Sequence, residues 1–108
     1  SPRFELLGRH GSLVRIGTMF IQPQRLATLA AAPVQLILQH NPRSGLECIH
    51  IFTDGNIDTV KQRVCTDPEL KMALDAHLLE LAVTSRPFSE FERHPQSGKT
   101  PLVIDKRR

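Results

Sequence analysis

Apolar and polar positions alternate with a period of two from Leu13 to Ile21, which places Val14, Ile16, Thr18 and Phe20 on one side of an extended chain and Leu13, Arg15, Met19 and Ile21 on the other. A shorter apolar run, Phe4 to Leu7, precedes it. Between them Gly8-Arg9-His10-Gly11 supplies two glycines suited to a turn with positive φ, so the two runs are expected to form a hairpin. Val34 to His40 and Leu46 to Asp54 carry the same alternation with many β-branched residues, and Asn41-Pro42-Arg43-Ser44-Gly45 between them is a turn sequence. An antiparallel hairpin closed through residues 41 to 45 is expected there, with His40 opposite Leu46, Cys48 opposite Leu38 and His50 opposite Leu36.

Helical spacing takes over in three other places. Gln24 to Ala31, introduced by Pro23 and ended by Pro33, carries Leu26, Leu29 and Ala30 on one side. Asp54-Gly55-Asn56 breaks the preceding strand and caps a helix from Ile57 to about Cys65 that is expected to bury Ile57, Val60 and Val64. Asp67 and Pro68 suit the cap and first turn of a further helix, in which Leu70, Leu74, Leu78 and Leu81 form an apolar stripe to about Thr84. Residues 86–108 hold Pro87, Pro95, Pro101 and Gly98 and are expected to be mostly extended, with an edge strand at 101–105.

The expected architecture is therefore α+β. Residues 1–85 form one compact domain with elements in the order ββαββαα, a mostly antiparallel sheet is covered on one face by helices, and 86–108 follow as a proline-containing segment. A chain of 108 residues is long enough to bury roughly two thirds of its extended surface around one core. With five Phe and neither Trp nor Tyr, that core is aliphatic, and recognition by ring stacking has little material.

Two cysteines, Cys48 and Cys65, lack both the CxxC spacing of a metal site and the density of a secreted disulfide scaffold, so they read as buried thiols of a reduced, cytoplasmic protein. No apolar stretch approaches the ~20 residues that span a bilayer, and a membrane partner is not expected. The start at Ser1-Pro2-Arg3, without an initiator Met, suggests a processed protein or a domain of a longer one.

The histidines do not cluster, there is no HxxxH or HExxH, and the carboxylates Asp54, Asp58, Asp67, Glu69 and Asp75 sit where helix capping and solubility account for them. No cofactor, metal or catalytic set is expected. Arg9-His10-Gly11 resembles the RHG motif of histidine phosphatases, in which the histidine accepts the phosphoryl group, but the likeness covers three residues of a family larger than this chain. Gly8 to Gly11 is similar to the GxxG loop of KH domains, which clamps single-stranded nucleic acid between two helices; here Leu13 to Ile21 has strand alternation instead. Ile21 to Leu26, followed by two strands and amphipathic helices, resembles in element order the secretion-switch domain of flagellar hook-length and type III needle-length regulators. The chain is assigned to none of these families.

A formal charge of +3 permits a polyanionic partner without the dense basic stripes that make one the default. The leading expectation is an interaction, assembly or regulatory module acting on a protein partner, with homo-oligomerisation through an open sheet edge. The alternative is RNA or single-stranded DNA binding through a basic tip, Arg9, His10, Arg15 and Arg43, assisted by Lys106, Arg107 and Arg108. A third class, a small enzyme or small-ligand binder, rests on residues distant in sequence meeting in a pocket.

Overall fold

The computed structural model describes residues 13–16 and 19–107. The run Phe4 to Leu7, the turn at 8–11, and Arg9, His10 and Arg108 lie outside the described residues. Strand β1 (Val14–Ile16) pairs antiparallel with β2 (Met19–Ile21), followed by α1 (Pro23–Ala30), β3 (Val34–His40), β4 (Glu47–Thr53), α2 (Ile57–Val64), α3 (Pro68–Asp75), β5 (Leu79–Ser85), a 3-10 turn at Phe88–Glu90 and β6 (Val103–Asp105). The main sheet has the order β5-β4-β3-β6. Among the described residues of this sheet only β3 and β4 are antiparallel; β5 runs parallel to β4 and β6 parallel to β3. The fold is α+β, but the sheet is mixed rather than mostly antiparallel.

Three departures from the sequence expectation have identifiable causes. The run Leu13 to Ile21 is not one strand: its halves pair antiparallel with each other, Val14 opposite Ile21 and Ile16 opposite Met19. Its Ile16 and Ile21 side chains enter the main core.

Second, the helix at Pro68 stops at Asp75. His77 adopts a left-handed backbone with φ 58°, so the leucine stripe breaks, and Leu79, Leu81 and Val83 pack against the core at the two-residue period of β5. Third, the β3–β4 register is displaced by one residue. Asn41 donates its backbone N–H to Leu46 O at 2.8 Å and Gly45, at φ +76°, donates to Asn41 O, so the loop contains Leu46 as well and His40 lies opposite Glu47. Cys48 and His50 therefore pair with Gln39 and Ile37, on the sheet face away from the helices, instead of with Leu38 and Leu36.

Leu36, Leu38, Ile49, Ile51, Leu79, Val60, Val64, Leu26, Leu70 and Ala73 form the core between the sheet and the helices. Asn56 caps α2 by accepting from Thr59 N, and Ile57 is exposed rather than buried. Asp67 caps α3, accepting from Leu70 N, while Arg25 of α1 reaches its other carboxylate oxygen at 2.6 Å.

The opposite sheet face is covered over β3 by the segment that follows β5. Gln35, fully buried, donates its Nε2 to Glu92 O and Pro101 O, both at 2.9 Å, and its Oε1 accepts from Glu92 N at 2.9 Å. Phe91, next to this clamp, is 3% exposed. Gln35→Leu leaves three backbone groups without partners and is expected to lower unfolding free energy by about 2–4 kcal/mol in urea melts. It should also speed hydrogen exchange at the Glu92 amide more than at β4 amides.

Candidate functional site

The basic residues singled out in the sequence come together only in part. Arg43 sits in the β3–β4 loop, and because β6 runs parallel to β3, Lys106 and Arg107 emerge at that same end of the sheet. Arg107 Nη1 donates to Arg15 O and to Glu47 Oε1, both at 2.6 Å, and its Nη2 donates to Asp105 at 2.8 Å. Its pKa lies above the ordinary value, first through the hydrogen bond to Asp105 and then through Glu47. Lys106 is paired with Glu92 at 2.8 Å. The cations converge, but Lys106 and Arg107 already answer to carboxylates of this chain.

A depression of about 560 Å³ opens beside them, lined by Gln39, His40, Asn41, Cys48 and Glu80 among others. Asn41 Nδ2 donates to Glu80 Oε1 at 2.8 Å. Cys48 is half-buried, and burial first, then the Glu80 charge, push its thiol pKa up, the opposite of what a nucleophilic thiolate needs. Cys65 is also a free, half-buried thiol. Among the described residues no group of three His, Cys, Asp or Glu is placed to hold a metal ion, and no helix is long and apolar enough to cross a membrane. Val14–Ile16 directly after the GxxG sequence is strand, where a KH domain needs helix.

Beyond the Gln35 clamp, the half of the sheet face that no described segment covers carries a stack. His50 and Phe52 rings lie 4.4 Å apart at 24°, Arg86 covers the Phe52 ring at 3.6 Å, and His50 Nε2 is 2.8 Å from Thr84 Oγ1. Desolvation first, then the Arg86 charge, lower the His50 pKa.

Beside this stack runs the outer edge of β5. Arg86 N donates to Thr53 O at 2.9 Å, so alternation turns the N–H and C=O groups of Glu80, Ala82 and Thr84 toward β4 and those of Leu79, Leu81, Val83 and Ser85 outward. Among the described residues no strand pairs with this edge. It is seven residues long, contains no proline or lysine, and carries one charge, Glu80. The opposite edge, β6, is three residues long and leads into the Asp105, Lys106 and Arg107 ion pairs. The leucine stripe assigned to a helix hid β5 from the sequence reading. The signal was present in the two-residue alternation Leu79, Leu81, Val83 and the β-branched Val83 and Thr84. Compared with known proteins, the chain matches no family model and no curated protein.

The lowered His50 pKa makes a signed prediction. Between its depressed folded value and the ordinary imidazole value near 6.5, the unfolded chain binds more protons than the folded one, so stability is full above about pH 6.5 and falls as pH drops through the folded value. His50→Gln is expected to flatten the acid side of the melting-temperature profile between about pH 7 and 5. An unchanged slope would remove His50 from that role.

Proposed function

We propose that this domain acts by binding another polypeptide, which adds an extended strand to the outer edge of β5. The observation that carries the reading is the regular, seven-residue edge with its outward N–H and C=O groups at Leu79, Leu81, Val83 and Ser85 and almost no guarding charge. Main-chain hydrogen bonds supply affinity in this mode, and the side chains flanking the edge, Glu80 and Thr84 on the stack side and Leu81 and Val83 on the helix side, supply selectivity.

Phosphate-backbone binding is the less favoured reading, because Lys106 and Arg107 would have to leave Glu92, Asp105 and Glu47 before a polyanion gained them. A labelled single-stranded RNA or DNA is expected to bind more weakly than about 100 μM at physiological salt, read by fluorescence anisotropy. Micromolar binding that falls steeply with added salt would reverse the ranking.

The direct test is selection of extended peptides from a random display library on the full chain. Binders are expected to perturb the Leu81, Val83 and Ser85 amides by NMR and to lose binding on Val83→Pro, which removes an outward N–H without touching a bond to β4. Circular dichroism checks that the variant folds. No selectable peptide, or binders indifferent to Val83→Pro, would refute strand addition.

A further inference from the structure

Resting on the strand-addition reading, we infer that the polypeptide received by β5 is β5 of a second copy of this chain, antiparallel about a two-fold axis at Ala82. Outward groups must meet outward groups, so only registers that set odd-numbered residues against odd-numbered residues form a ladder. Of these, the register centred on Ala82 pairs Leu79 with Ser85, Glu80 with Thr84 and Leu81 with Val83, leaving none of the seven residues without a partner.

The side chains agree on both faces. On the helix side, Leu81 and Val83, both half-buried against the core, meet Val83 and Leu81 of the second copy and extend the apolar layer across the axis. On the other side Glu80, the strand's one charge, comes diagonal to Arg86 of the second copy, whose guanidinium is already held on that face over Phe52. The complementary pair occurs twice, once on each side of the axis. Ala82 faces Ala82, small enough for close approach. Once joined, the continuous sheet ends on β6 at both sides, so the assembly closes as a dimer.

The test is sedimentation equilibrium of the full chain from about 1 to 200 μM, where mass action should raise the mass from 12.1 kDa to twice that value. Ala82→Arg sets like charges against each other on the axis, on a half-exposed position outside the core, and should weaken association by about a hundredfold. Glu80→Arg and Arg86→Glu should each weaken it by about tenfold, and the double reversal should recover most of the loss, a rescue that a merely damaged fold does not give.

A chain that stays monomeric throughout, including one whose β5 amides are protected by residues 1–12 of the same molecule, overturns the inference. So does a dimer indifferent to Ala82→Arg or to both charge reversals. If the chain is monomeric while display peptides still bind and depend on the Val83 N–H, the self-pairing fails and the strand-addition reading stands; if the peptides fail as well, both fall.

Discussion

Gln35 lies on a sheet face from which water is excluded, so its carboxamide must find partners for two N–H groups and an oxygen or be strongly destabilising. The partners it has are backbone groups of Glu92 and Pro101, which makes the segment after β5 part of the packed structure rather than an appendage. From Pro101 the chain runs directly into β6 beside β3, with Leu36 N donating to Leu102 O at 2.8 Å. One amide thus sets which half of the second sheet face is covered, and it brings up the short strand that guards one edge. The consequence at the other side is equally physical: the segment spent over β3 does not cover β4 and β5, and the His50–Phe52–Arg86 stack lies in the half that no described segment covers.

The helix side is organised by ordinary means. Val60, Val64, Leu70 and Ala73 point from α2 and α3 onto Ile49, Ile51 and Leu79, and α1 joins them through Leu26 and Ala30. Asp67 ties the layer together by capping α3 while holding Arg25 of α1, using one carboxylate oxygen for each. Because this face is filled by helices and β1–β2 while no described segment covers half of the other, an incoming strand at β5 would find an apolar wall on one side and a polar, partly aromatic surface on the other.

Much of this was legible in the sequence where a residue type has one use. Asp67-Pro68 announced the start of α3, Asn56 the cap of α2, and Pro33 the start of β3 after α1. What was not legible came from competition between periods. Leu70, Leu74, Leu78 and Leu81 fit a helix, yet Leu79, Leu81 and Val83 fit a strand over the same stretch, and pairing with β4 decided it. The hairpin register turned on whether Leu46 belonged to the strand or the loop, a matter of one hydrogen bond from Asn41, and that one residue moved His50 from the core side to the open face. The cations named in the sequence were placed near one another, but their neutralisation by Asp105, Glu47 and Glu92 depended on a parallel β6 that no local pattern encodes.

A regular edge strand is a hazard unless it is guarded or occupied, because unpaired N–H and C=O groups in a flat row accept any extended chain. β6 is guarded by its length and its charges; β5 has neither protection. Addition of β5 onto the β6 edge of the next copy would leave an open β5 edge at every step and propagate without limit, whereas antiparallel addition of β5 to β5 about a two-fold axis would consume both β5 edges in one step and leave only the β6 edges. The distribution of charge follows that logic. Acid and base sit together beside β6, where Lys106 pairs with Glu92 and Arg107 with Asp105 and Glu47, while β5 carries Glu80 and leads into Arg86, a pair that the proposed two-fold register would set diagonally across the axis.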